Sequence, residues 1–132
     1  MKFLSNAGEY LLSLLLTLGA FLFGDFDGLM TALITVIFID FATGIAVAAV
    51  LKKISSQISA KGFVRKFLML LIVALAHILD VYVVGGGNKL QIAATLYYIL
   101  NEGVSILENC AMLGLPVPKK ITDTLAQLRK GE

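Results

Sequence analysis

The run of residues from Gly28 to Leu51 contains a single charged side chain, Asp40, near its middle. The run is about 24 residues long, and a helix needs roughly 20 apolar residues to cross a lipid bilayer. A carboxylate at the centre of such a helix raises the free energy of membrane insertion by about 2.5–3.5 kcal/mol. Because intramembrane charges usually face a bundle interior or a water-filled path, this run predicts a membrane helix with a polar inner side.

The composition also indicates a membrane protein. Of the 132 residues, 58% are hydrophobic and 15% are charged, whereas soluble domains have about 45–50% apolar and about 25% charged residues. A soluble chain with this balance would lack the polar surface that keeps it dispersed. The length is compatible with one domain of three or four spans and excludes a separate catalytic domain.

Four apolar segments and a polar tail divide the chain. The first segment is short for a span, so it either crosses a thinned bilayer or lies in the interface as an amphipathic helix. We predict an all-α fold, an integral membrane bundle of three to four transmembrane helices plus a short cytoplasmic C-terminal helix. The predicted elements of this single membrane domain (1–132) are an N-terminal helix at 10–24, spans at about 28–51, 67–84 and 90–113, and a cytoplasmic tail at 119–132.

Basic residues are concentrated between the second and third segments. This stretch contains no acidic residue, so the positive-inside rule predicts a cytoplasmic loop and places both termini on the cytoplasmic side. It lacks interleaved aromatic residues and a folded platform, so we expect no nucleic acid as a partner. The residues of this predicted loop are Lys52, Lys53, Lys61, Arg65 and Lys66.

The fourth segment carries polar side chains on one face. Wound at 3.6 residues per turn, these side chains fall within about a third of the helix circumference. The face is either a seam sealed against other helices of one subunit or a wall that lines water once subunits gather. Its members are Gln91, Tyr98, Asn101, Glu102, Ser105, Glu108 and Asn109.

Other polar groups lie within the second and third segments. His77 and Asp80 are three residues apart and share a helix face, so we expect them to form a hydrogen-bonded pair. Asp40 requires a partner or a proton, and the partner is Lys66, His77, or an asparagine or serine of the fourth segment. Helix packing beside Asp40 is expected at the small residues Thr43, Gly44 and Ala48, because small residues let membrane helices approach closely.

The side chains that support covalent chemistry do not form a recognisable site. Ser105, His77 and Asp80 are the residue types of a hydrolase triad, but the nucleophile-elbow motif is missing. His77 is the only histidine and Cys110 the only cysteine, so neither a disulfide nor a metal site is expected. The sequence therefore predicts no enzyme, no cofactor and no metal.

The chain from about residue 30 to 130 resembles the toxin-secretion and phage-lysis holin family, which includes the holin-like protein linked to large clostridial toxins. The most specific stretch runs from Asn101 to Asn109 (NEGVSILEN) and is followed by Gly114–Pro118 (GLPVP). The shorter matches are DFATG at 40–44, Ser59, Gly62 and Lys66, Asp80, and LAQL at 125–128. Asp123 and Glu132 make the tail less basic than is typical of the family.

The resemblance implies a protein of the bacterial inner membrane that accumulates harmlessly. It then oligomerises abruptly into holes that release a muralytic enzyme or a toxin. The implied partners are membrane lipid, further copies of the chain, and an endolysin or secreted toxin that need not bind directly. Two other hypotheses stay open, namely a small proton-coupled multidrug transporter or channel and a membrane scaffold protein.

Overall fold

A computed structural model describes residues 1–52 and 56–130, apart from the side chains of residues 56–59 and 129. The described residues form α-helices and connecting turns and contain no strand. The helices are α1 (Lys2–Phe23), α2 (Gly28–Leu51), α3 (Ser56–Tyr82), α4 (Lys89–Met112) and α5 (Lys119–Arg129). The predicted all-α class is confirmed.

Residues that stop or start helices fix the bounds of α2 and α4. The carboxylate of Asp27 accepts a hydrogen bond from the Met30 amide and so caps α2, which has the predicted bounds. Three consecutive glycines with φ of 95°, 119° and 86° form the turn before α4. These dihedral angles favour glycine, because a side chain there is strained. α4 differs from the prediction by one residue at each end.

The predicted basic loop is wrong from residue 56 onward, because α3 begins there and not at residue 67. Hydropathy marks only the apolar part of a helix, and the polar first turns of α3 contain no proline that would stop it. Lys61, Arg65 and Lys66 therefore lie on α3. Lys52 ends α2 in a left-handed conformation with φ of 54°, and Lys53 lies outside the described residues. The N-terminal helix likewise begins earlier than predicted, at Lys2 instead of residue 10.

α4 is the central helix of the bundle. It packs against α2, α3 and α5, whereas α1 packs against α3. A small apolar core forms around Met30, Leu33 and Val73. α2 and α3 both pack against α4. An apolar groove of about 380 Å³ lies between α2 and α3 and is lined by Phe38, Phe67 and other large side chains.

Most large apolar side chains point outward. Among the described helices, α1, α2 and residues Ala60–Tyr82 of α3 are long and apolar enough to cross a membrane. Phe38, for example, is 72% exposed, while the buried residues include Asp40, Asp80, Thr95 and Glu102. An apolar exterior around a partly polar interior is the reverse of a soluble domain and is suited to lipid.

Candidate functional site

Three charged side chains from three helices meet halfway along the bundle. The ammonium nitrogen Nζ of Lys66 on α3 lies 2.6 Å from Oδ2 of Asp40 on α2 and 2.6 Å from Oε2 of Glu102 on α4. Asp40 and Glu102 are 8% and 7% exposed, so the bridge is largely removed from solvent. With both carboxylates ionised, the formal charge of these three groups is −1. The ion pairs join segments that are 26 and 36 residues apart along the chain.

Asn109 adds a second link between α2 and α4. Its side-chain nitrogen Nδ2 donates to Oδ1 of Asp40 at 3.1 Å and to Oγ1 of Thr43 at 3.0 Å. Gly44 lies beside this amide, since a Cβ placed at Gly44 would be 3.9 Å from the same nitrogen. We call Asp40, Lys66, Glu102 and Asn109 the mid-helix cluster. Its hydrogen bonds specify which faces of α2, α3 and α4 meet.

A second polar group lies where α1 ends and α4 begins. Oδ1 and Oδ2 of Asp80 accept hydrogen bonds from the backbone amides of Leu90 and Gln91 at 3.1 and 2.9 Å, which caps α4. The Gln91 side chain lies 3.1 Å from Nδ1 of His77 and donates to the Phe23 carbonyl at 2.6 Å. We call Phe23, His77, Asp80 and Gln91 the helix-end cluster.

Some of the predicted polar residues have hydrogen-bond partners other than the expected ones. His77 and Asp80 do not pair with each other among the described hydrogen bonds, because each is directed to the start of α4. Of the predicted partners of Asp40, the structure selects Lys66 and Asn109. These partners of Asp40 follow from the packing of α2, α3 and α4 against one another, which the spacing of residues in the sequence does not show.

The polar face of α4 is divided among several environments. Gln91, Glu102 and Asn109 belong to the two clusters, and Glu108 is exposed. Asn101 and Ser105 are half-buried, as is Ala48 on α2. No group of three or more potential metal ligands occurs within the part of the chain that the structure describes.

The sequence does not predict the position of Lys66 or the contact of Gln91 with α1. The positive-inside rule predicts that Lys66 lies in a loop, although Lys66 is also one of the candidate partners of Asp40. Its position on the same helix face as Leu70 and Val73 is the feature that reveals it, because a lysine on the inner face of a span requires an anion. The sequence predicts Gln91 as part of the polar face of α4, but no sequence feature indicates its contact with α1.

Comparison with known proteins assigns the chain to a family. A family model described as "Bacteriophage holin family" matches residues 17–130. A protein named "Probable holin" from Bacillus phage phi105 is 41% identical over 106 residues, which are 80% of this chain and 77% of the phage protein. The chain belongs to the bacteriophage holin family. The resemblance expected from the sequence is thereby confirmed.

Proteins from bacteria are also similar to this holin-family chain. An "Uncharacterized 14.9 kDa protein in nagH 3'region" of Clostridium perfringens is 38% identical over 112 residues, which are 85% of each chain. The "Uncharacterized protein YqxH" of Bacillus subtilis is 40% identical over 105 residues, covering 80% of this chain and 74% of the relative. No solved structure matches.

The family match includes both polar clusters and only the last part of α1. Phe23, Asp40 and Asn109 fall inside residues 17–130, whereas Glu9 falls outside them. Together with three helices that are apolar enough to span, membership in the holin family makes this a membrane protein. The family match therefore covers the whole of α2 to α5.

Proposed function

We propose that the chain acts as a holin, which accumulates in the bacterial inner membrane as a closed bundle and then assembles into lesions. The observation that supports this function best is the buried bridge from Lys66 to Asp40 and Glu102 inside a bundle with an apolar exterior. A closed subunit presents its apolar surface to lipid, so it accumulates without opening a water path.

The opening step is an exchange of contacts. When subunits become crowded, α4 leaves α2 and α3, and its polar face turns toward the polar faces of neighbouring copies and toward water. Two packings that differ by only a few kcal/mol suffice for such a switch. Loss of the membrane potential biases the exchange, since one charge moving across 100 mV changes the free energy by about 2.3 kcal/mol.

The cargo and topology follow from the same proposal. Lesions that pass a folded protein release a cytoplasmic endolysin or a toxin, and neither has to bind the bundle. We place both termini, with α5 and the basic end of α3, on the cytoplasmic side, where Lys119 and Lys120 meet anionic lipid. The glycine turn at 85–87 then faces outward.

The test is induced expression in a bacterium with and without a co-expressed cytoplasmic endolysin, following culture density. We expect sudden lysis only in the presence of the endolysin. Continued growth, with the membrane potential intact and the protein present in the membrane, would contradict the proposal. Substrate-dependent proton flux in liposomes would favour the transporter hypothesis.

Variants of α4 test the role of its inner face in timing. Glu102→Gln removes one of the two carboxylates that bind Lys66, so we expect it to shift the time of lysis. Asn101→Leu, which changes a half-buried position of the same helix, is expected to shift it as well. Asp123→Asn is the control, because it removes an exposed carboxylate on α5, outside the polar face of α4. Equal lysis times for Glu102→Gln and the unaltered protein at equal expression would exclude this role.

A further inference from the structure

α1 is held to its own subunit at one end only. Phe23 and Gly24 contact Gln91 and His77 of the helix-end cluster. Every residue from Met1 to Leu18 is exposed, and none of the residues of α1, all of which the structure describes, is buried. About three quarters of this helix is therefore available to another molecule in the membrane.

One stripe of α1 combines a carboxylate with leucines. Ser5, Glu9, Leu12 and Leu16 follow one another at spacings of four, three and four residues, which places them on one face. Glu9 is the only acidic residue of α1. A carboxylate close to the apolar part of a span is stabilised by a cation on a neighbouring helix.

The outer face of α3 carries a matching stripe. Lys61, Arg65, Leu68 and Ile72 have the same spacings, and all four are exposed. α1 and α3 also run in the same direction through the bundle, because Gly24 at the end of α1 lies beside His77 near the end of α3 and α2 connects the two helices. When the two stripes lie side by side, Glu9 of α1 is next to the two cations of α3. The two leucines of the α1 stripe are then next to Leu68 and Ile72.

The charges lie at the same height when measured from the contact between Gly24 and His77. Glu9 is about 22 Å below Gly24 at the helical rise per residue. Along α3, Arg65 is about 18 Å and Lys61 about 24 Å below His77. Glu9 of one copy therefore falls between the levels of these two cations in any copy that has the same orientation in the membrane.

The subunit's own α1 is badly placed to bind this stripe. His77, to which α1 is attached, lies on the same helix face as Lys66 and Leu70. The stripe through Lys61, Leu68 and Ile72 is roughly half a turn away around α3. α1 would have to leave the helix-end cluster to reach it, whereas α1 of an adjacent copy needs no such change.

We propose that α1 of one subunit packs in parallel against the outer face of α3 of a second copy, with Glu9 between Lys61 and Arg65. This surface deepens the proposed function, because it supplies the contact through which the subunits gather. The contact is heterologous, so each subunit offers one α1 and one α3 surface. Such contacts generate rings when the rotation closes and open arrays when it does not.

Cysteine cross-linking in membranes tests this contact. In a Cys110→Ser background, one tagged copy carries Leu16→Cys and a second copy with a different tag carries Leu68→Cys. We expect oxidation to yield a disulfide-linked heterodimer. The control partner carries Phe38→Cys, which lies at similar height in the groove between α2 and α3. No heterodimer with Leu68→Cys, or a higher yield with Phe38→Cys, would overturn the proposal.

Charge exchange identifies the role of Glu9. Glu9→Lys is expected to lower the cross-linking yield about fivefold, the value for loss of one partly exposed ion pair. The combined change Lys61→Glu and Arg65→Glu should lower it similarly, and the triple variant should restore it. Lowered yield that the triple variant fails to restore would overturn the assigned pairing.

A double-cysteine copy, Leu16→Cys with Leu68→Cys, distinguishes a contact between copies from one within a copy. Cross-linked dimers and larger species support the proposal, whereas a cross-linked monomer overturns it. The cross-linking readout is independent of lysis. Endolysin-dependent lysis without the α1–α3 cross-link would reject this surface alone, and the cross-link without lysis would reject the holin function alone.

Discussion

The mid-helix cluster and the helix-end cluster contain similar side chains but bind different kinds of partner. In the mid-helix cluster, side chains bind side chains, and Lys66 links carboxylates from two other helices. In the helix-end cluster, Asp80 and Gln91 bind backbone groups at the start of α4 and the end of α1. The comparison indicates which contacts can be exchanged between subunits. A second copy can supply another carboxylate or amide, but it cannot replace the backbone groups of a turn.

The difference in partners also separates the roles of the two regions. Asp80 lies only 10 and 11 residues before the two amides that it binds, so a short turn keeps these groups close together. The bridges through Lys66 span much longer stretches of chain. We therefore expect the contact of Asp80 with the start of α4 to persist as a fixed pivot while the mid-helix cluster opens.

Loss of Lys66 should produce the largest effect. Lys66→Met leaves Asp40 and Glu102 buried without their cation, and removing one partner of a buried ion pair lowers the free energy of unfolding by about 3–5 kcal/mol. Thermal unfolding of the purified protein in detergent measures this change. Lys61→Met removes the same charge at an exposed position and should stay within about 0.5 kcal/mol. Equal effects of the two variants would show that the bridge does not stabilise the bundle.

Asn109→Leu should have the second largest effect. The variant removes the amide that donates to Asp40 and leaves Oδ1 without that donor, which lowers the free energy of unfolding by about 1–3 kcal/mol. Denaturation in the same detergent provides the measurement. Cys110→Ala, a half-buried neighbour on α4 outside the cluster, is the control. A greater loss from the control would contradict the importance of the link between α2 and α4.

Asp80→Ala should have a smaller effect, and a local one. Loss of the cap exposes two amides at the start of α4 and lowers the free energy of unfolding by about 0.5–2 kcal/mol. Hydrogen exchange should accelerate at Leu90 and Gln91 and change little at Glu102. Asp80→Asn keeps one oxygen acceptor and should retain part of the protection. Uniform acceleration along α4 would instead assign Asp80 to the stability of the whole bundle.

Gln91→Leu should have the smallest effect on stability and a visible effect on geometry. It removes a hydrogen bond worth about 0.5–1.5 kcal/mol and releases the Phe23 carbonyl. The distance distribution between spin labels at Leu15 and Leu75 should broaden as α1 gains orientations. Thr35→Leu, on the exposed face of α2, is the matched control. An unchanged distribution would show that other contacts hold α1.

The same comparison explains how much the sequence predicts. The bounds of α2 and α4 follow from short-range features, namely the acidic cap at Asp27, the triglycine turn and the prolines after α4. The residues of the mid-helix cluster were also predictable as intramembrane polar groups, apart from Lys66. An unpaired carboxylate in lipid is unfavourable wherever it lies, so its presence is informative without knowledge of its partner.

The pairing itself was not predictable from one sequence. Positive charges near a span normally mark the cytoplasmic side, and that rule predicts a loop position for Lys66. The ammonium of Lys66 lies inside the bundle because two anions on other helices bind it, which is a tertiary effect. The spacing of His77 and Asp80 likewise predicts that they pair with each other. In the structure, both instead bind Gln91 at the start of α4.

The position of Lys66 within α3 also has a consequence for biogenesis. Chains are made from the N-terminus, so α2 and α3 leave the ribosome before α4. Asp40 and Lys66 can therefore enter the bilayer together in one helical hairpin, as a pair with no net charge. The free energy of inserting this pair is lower than that of inserting the two charges separately. Glu102 and Asn109 arrive afterwards and complete a site that already exists. The addition of α4 is then the step that closes each newly made subunit.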